Sequence, residues 1–201
     1  MSAVEARALS APLLSPSRVV RLALAAGLVL LGVHLVMNAA SFRLLESRLA
    51  GLVTAVVFGR DVHTMTAEPV FVIQRVVGDD TTWFAFTLTP QCSALYFLIP
   101  LTFIGAFVLA SGRSTVTTLL VGIVAAGALL ELINLVRIEA LVFALLQGGS
   151  SMFGWVHDTV GSAAMAAGFA VALIVFFKLG FFGRRDRRRR APVSGARHVR
   201  H

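Results

Sequence analysis

Four stretches of the chain are apolar over helical length and nearly free of charge: Val19–Met37, Ser93–Ala110, Thr115–Val136 (with apolar residues continuing to Leu146) and Trp155–Leu179. A helix that crosses a bilayer needs about 20 such residues. The pattern predicts an all-α polytopic membrane protein with four transmembrane helices, at 19–37, 93–110, 115–136 and 155–179. Arg18 and Arg21 open the first stretch and no small-residue cleavage site follows it, so it reads as a retained span. The segment 38–91 is patterned differently. Leu45, Leu49, Leu52 and Val56 recur at helical spacing, with Arg43, Glu46 and Arg48 between them. That predicts an amphipathic helix lying along the membrane surface or dipping into it. Pro69–Val77 and Thr81–Thr89 are rich in Val, Phe, Ile, Thr and Trp and flank Gly78-Asp79-Asp80, the signature of a β-hairpin. A lone hairpin is marginal in water, so this one is expected to pack on the membrane-facing part of the protein. Residues 1–183 read as one transmembrane domain, and 184–201 as a basic, disordered tail.

Composition supports this reading. Of the 201 residues, 57% are hydrophobic and 14% charged, against about 45–50% and about 25% in soluble domains. These figures argue against a soluble enzyme and exclude disorder over most of the length. The net charge of +8 would suggest nucleic acid in a soluble protein. Its placement changes that. Thirteen of the 18 basic residues lie before span one (Arg7, Arg18, Arg21), between spans two and three (Arg113), or after span four (Lys178 and the tail). Lys and Arg gather on the cytoplasmic side. Both termini are therefore expected inside a cell membrane, with 38–91 and the Gln147–Gly154 loop outside. The tail then fixes topology and meets anionic lipid, and no nucleic-acid partner is expected.

Polar groups inside spans are costly and mark candidate sites. They are His34, Cys92, Glu131, Asn134, Arg137, Glu139, His157 and Asp158. The topology brings Cys92, Arg137 and His157 from three different helices to one membrane face, as a catalytic site requires. Cys92 is the only cysteine, so no intrachain disulfide forms and no resolving thiol is present. A thiolate is a nucleophile, and a neighbouring cation or helix N-terminus favours it. Histidine can take the thiol proton and return it to a leaving amine, and arginine can hold an oxyanion. Asn134 lies one turn before Arg137, placed to orient it or to bind substrate backbone. Glu131 lies a further turn away, where a pairing with Asn134 or a neighbouring helix lowers its cost. Ser93 and Asp158 flank the reactive pair. His63, His198 and His201 have no partners that would make a metal site, and no Gly-rich loop suggests a nucleotide, so neither metal nor cofactor is expected. Gly161, Ala164, Gly168 and Ala172 recur on one face of span four and suit close helix packing.

At these residues the chain resembles the exosortases and archaeosortases. Thr-Pro-Gln-Cys92-Ser93-Ala94-Leu95 is similar to their Cys-Ser-Gly motif, Asn134-Leu135-Val136-Arg137-Ile138 to Asn-x-x-Arg-Ile, and His157-Asp158-Thr159-Val160-Gly161 to His-x-x-x-Gly. The likeness covers about Pro69 to Leu179, in the same order and topology. It implies a membrane cysteine transpeptidase or protease, with Cys92 as nucleophile, His157 as acid and base, and Arg137 as stabilising cation. It also implies a partner: an exported protein ending in a short motif, a hydrophobic helix and a basic cluster. Ala94 departs from the family glycine, and the chain is shorter than typical bacterial members. The competing readings are a non-catalytic membrane scaffold or assembly factor, in which Cys92 only packs, and a thiol-dependent membrane acyltransferase.

Overall fold

Backbone amides that leave water must pair within their own segment, so apolar sequence of this length forms helices. The computed structural model describes residues 15–77, 79–112 and 114–189, with residues 77 and 181–189 as backbone only. Arg7, Gly78, Arg113, His198, His201 and the rest of the tail beyond Arg189 lie outside the described residues. The chain is mostly helical with one small sheet. Two helical stretches, Pro16–Met37 and Val116–Gly180, are long and apolar enough to cross a membrane.

Helix α1 (Pro16–Met37) starts with a proline, whose missing N–H costs nothing in the first turn. It ends where the Asn38 amide donates to the His34 carbonyl, 3.0 Å away. His34 is thus part of a helix corner. The chain turns there into α2 (Ala39–Phe58), which stops at Gly59 in the left-handed conformation. Three antiparallel strands follow: β1 (Val62–Thr64), β2 (Val70–Val77) and β3 (Asp80–Thr87). The expected hairpin is β2–β3, with Val77 opposite Asp80 across a two-residue loop. β1 was not expected; three residues carry too little pattern to register as a strand. A 3-10 turn at Pro90–Cys92 leads into α3 (Leu95–Ala110).

Helix α4 (Val116–Trp155) overruns the span read from sequence, which ended near Val136. From Val116 to Gly148 it is about 50 Å long at about 1.5 Å per residue, well beyond a hydrocarbon core of about 30 Å. Gly149, at φ 65 and ψ −157, breaks it, a backbone geometry that glycine adopts without strain. The expected Gln147–Gly154 loop is therefore helical apart from this one residue. Beyond it a π-helical segment (Val156–Gly161) leads to α5 (Ser162–Arg189), which packs back along α4. α5 continues past the boundary drawn at Gly183, into the basic region read as disordered.

The described residues form two apolar cores. Leu28 of α1, Leu101 and Leu109 of α3, Leu119 and Leu130 of α4, and Phe176 of α5 make the first. The second joins Phe71, Ile73 and Phe86 of the sheet to Ala50 of α2 and to Ile138, Leu141 and Leu146 of α4. α4 runs through both, and Asn134 and Arg137 sit between them.

The amphipathic pattern of α2 is inverted relative to a soluble surface helix. Leu45, Leu52 and Val56 are 64%, 67% and 84% exposed, whereas Glu46, Ser47, Ala50, Gly51 and Thr54 are buried. Small and polar side chains let α2 approach the sheet and α4 closely. Large apolar side chains are turned outward, as on a helix whose outer solvent is hydrocarbon. Phe71 tests the second core. It is fully buried and stacked on Phe86 at 5.0 Å between ring centroids. Phe71→Ala should cost about 3–5 kcal/mol in denaturant unfolding of the detergent-solubilised protein. Leu52→Ala, on the outer face of α2, should stay within about 0.5 kcal/mol.

Candidate active site

Cys92 closes the 3-10 turn. Proline at the head of the turn and the bond from Cys92 N–H to the Thr89 carbonyl (2.9 Å) fix its backbone. The side chain is 2% exposed, and its Sγ lies 3.2 Å from His157 Nε2. Helix α3 begins only at Leu95. Its first free N–H groups go elsewhere: Ala94 N–H donates to Glu46 Oε1 (2.8 Å), and Leu95 N–H to Ser93 Oγ (3.2 Å). The helix N-terminus expected to act on the sulfur is thus occupied by a carboxyl and a hydroxyl.

His157 lies in the π-helical segment, a form that often occurs at functional sites because its wider turn re-aims a side chain. Its Nδ1 is 2.9 Å from Asp158 Oδ1. A carboxylate only accepts, so Nδ1 carries the proton and the Nε2 lone pair faces the thiol. The order is thiol, imidazole, carboxylate. Asp158 is 80% exposed and His157 22%. Phe153 stacks on the imidazole at 5.8 Å. Together with Phe86, Thr87, Thr89 and Leu145 it walls an open cleft of about 330 Å³ that contains Cys92 and His157.

Arg137 is 6% exposed. Its Nη1 donates to the Gln91 carbonyl at 2.9 Å, one residue before Cys92. It does so from α4, while Gly161 of the π segment covers its Nε, equally far along the chain from Gly149. A Cβ on Gly161 would lie 2.6 Å from Arg137 Nε. That contact gives a physical reason for the glycine four residues after His157, which the sequence offered as a packing residue and as part of the His-x-x-x-Gly resemblance.

The remaining candidates form a second layer behind Cys92. Ser93 Oγ donates to Glu46 Oε2, and Asn134 Nδ2 donates to Glu46 Oε1 at 3.2 Å. Asn134 therefore serves Glu46 and not Arg137. Glu131 is half-buried and shares a hydrogen bond with Glu46. Its Oε2 has no partner among the described residues, and neither have Asn134 Oδ1 and Arg137 Nε. Glu139 is not in this layer; both its carboxyl oxygens accept from Thr54 Oγ1 at 3.0 Å. Among the described residues no group of His, Cys, Asp and Glu has the makings of a metal site.

Glu46 was not singled out from sequence. It stood among leucines on a helix read as amphipathic, so it was taken for the wet face. The available signal was its position away from the row Leu45, Leu49, Leu52 and Val56, which in apolar surroundings turns outward and leaves the acid inside. Burial pushes its carboxyl up from 4.5 to about 7, against the lowering effect of the Ser93 hydrogen bond. A folded value above the ordinary one means that ionisation opposes folding. The stability contributed by neutral Glu46 is complete below pH 4.5 and is lost as pH rises to about 7. Glu46→Gln cannot ionise, so its thermal unfolding temperature in detergent should fall less across that range than the parent's does. Gly161→Ala should displace Arg137 and cost about 1–3 kcal/mol through overpacking, read by the same melts.

No family model, curated protein or solved structure matches this chain.

Proposed function

We propose that the chain is an integral membrane cysteine peptidase or transpeptidase of the exosortase/archaeosortase type. One observation carries the reading: the 3.2 Å contact of the Cys92 thiol with His157, whose far nitrogen holds a carboxylate. Cys92 attacks a scissile peptide carbonyl as its proton passes to His157 Nε2. Negative charge gathers on the carbonyl oxygen, where the permanent charge of Arg137 near the turn stabilises it. The carbon–nitrogen bond then breaks. His157 gives its proton to the departing amine, and the acyl group remains on sulfur as a thioester. Water or an acceptor amine attacks the thioester, yields its proton to His157 and frees the thiolate.

The membrane arrangement belongs to the same proposal. α1, α3 and the two arms of the α4–α5 hairpin supply four spans, both termini are cytoplasmic, and the site opens on the outer side. The distribution of basic residues along the sequence supports this orientation. The outward-facing aliphatic side chains of α1, such as Leu30 at 68% exposure, suit a span that faces lipid. α3 has 16 residues and is short for a span, with the Pro90–Cys92 turn adding to its reach. The substrate is an exported protein whose C-terminal hydrophobic helix and basic cluster hold its cleavage region at the membrane surface.

Co-expression with a candidate protein bearing such a tail tests the chemistry. Cys92→Ala should abolish processing, and His157→Ala should lower its rate by roughly 10²–10⁴-fold. Unchanged processing in Cys92→Ala would remove the nucleophile assignment. In intact cells a membrane-impermeant thiol reagent should label Cys92 from outside; labelling only after the cytoplasm is exposed would reverse the topology.

A further inference from the structure

The sheet has a free edge, and it borders the cleft. Its strand order is β1-β2-β3, so β3 has a partner on one side only. In an antiparallel ladder, pairs that exchange hydrogen bonds alternate with pairs that do not. The phase is set by β1. Gln74 N–H donates to the Asp61 carbonyl (3.1 Å), and the Val70 carbonyl accepts from Met65 N–H (2.9 Å). The even-numbered residues of β2 therefore face β1, and the odd-numbered ones face β3. Phe71 and Ile73 exchange bonds with Phe86 and Phe84, their partners in register. Ala85 and Thr87, opposite Val72 and Val70, turn their N–H and C=O groups outward. Both residues are exposed, and both line the cleft that holds Cys92 and His157. No described strand or loop pairs with them.

Unpaired strand edges recruit other chains, and proteins usually blunt them with charge, proline or a covering element. Thr81 to Thr87 carries none of the first two, and no described element covers it. The catalytic cleft begins where this edge ends, because Leu88 and Thr89 lead directly into the turn that carries Cys92. We infer that an extended peptide segment pairs with the outer edge of β3 at Ala85 and Thr87, as a fourth strand, and so delivers its scissile carbonyl to Cys92. This rests on the peptide-processing reading and specifies how the substrate is held. Main-chain bonds to Ala85 and Thr87 supply affinity for any sequence, and the walls formed by Leu145 and Phe153 select side chains. An extended backbone also leaves its carbonyls unshielded, the conformation that a thiol can approach.

The test uses the sole cysteine of the detergent-solubilised full chain, followed by intact mass. Two reagents alkylate it by losing chloride: chloroacetamide, and the extended peptide reagent acetyl-Val-Thr-Val-Ala-chloromethyl ketone. The peptide should label Cys92 at least tenfold faster than a non-peptide chloromethyl ketone of equal intrinsic reactivity. N-methylation of its central amides should abolish that gain. Thr87→Pro removes an outward N–H without touching the β2 ladder, a position where an edge strand tolerates proline. It should lose the peptide gain, read as the ratio of the peptide rate to the chloroacetamide rate of the same variant. Ala85→Pro is the second variant, should Thr87→Pro fold poorly. A gain that survives both N-methylation and proline substitution overturns the pairing, as does the absence of any gain. So does a dimer that dissociates in Thr87→Pro without peptide acceleration, which assigns the edge to a second copy of the chain. The chemistry fails separately: His157→Ala labelled by chloroacetamide with the parent pH profile would remove the thiol–imidazole pair and leave the edge untouched.

Discussion

A carboxyl group withdrawn from water among apolar side chains must be met by donors, and the tertiary arrangement around Glu46 follows from that requirement. Its two oxygens take the Ser93 hydroxyl, the Ala94 N–H and the Asn134 amide. Those groups belong to the turn after Cys92 and to α4, while Glu46 belongs to α2. One side chain thus ties three elements that meet nowhere else in sequence. An unmet polar group at this depth costs about 1–3 kcal/mol in proteins, so the three elements are held in register by satisfaction rather than by shape alone. Arg137 works to the same rule on the other side of the turn, through the Gln91 carbonyl. The turn that carries Cys92 is clamped from before and behind by groups contributed from elsewhere.

This placement sets where chemistry is possible. The lower core is a helix bundle and the upper core a sheet packed on α2 and α4. Their boundary is where polar side chains collect, because neither core can absorb them. Cys92 reaches that boundary at the end of the sheet, and His157 reaches it from the π segment opposite. A regular α-helix through Val156–Gly161 would aim its side chains differently. The wider turn lets His157 face the thiol while Gly161 lies flat on Arg137. The free edge of β3 opens onto the same boundary, where Ala85 and Thr87 line the cleft that holds Cys92 and His157.

Much of the site was legible before folding. Cys92, Arg137 and His157 stood out because reactive or charged groups are conspicuous in a chain that is 57% hydrophobic. Asp158 was noted beside His157, and the structure sets it on Nδ1. Asn134 was offered as orienting Arg137 or binding substrate backbone, and its amide goes to Glu46 instead of Arg137, since spacing along one helix reveals the turn above and below but not the helix across. Glu46 was invisible for a related reason. Periodicity separates two faces of a helix without saying which is inside, and the assumption that aliphatic residues point inward fails when the surroundings are apolar.

The sequence by itself determined that the chain is mostly helical, that a hairpin precedes the cysteine, and which side chains are chemically able to act. Those properties depend on local pattern and side-chain type, and they survive without knowledge of neighbours. Only the tertiary structure decided that α2 turns its leucines outward and its glutamate inward, and that α4 continues to Gly149 as the wall of a second core. It also decided that the outer edge of β3 lies against the reactive pair. These depend on contacts between residues far apart in the chain, such as Glu46 with Asn134 and Cys92 with His157. A long-range hydrogen bond leaves no periodic trace in the segments that make it.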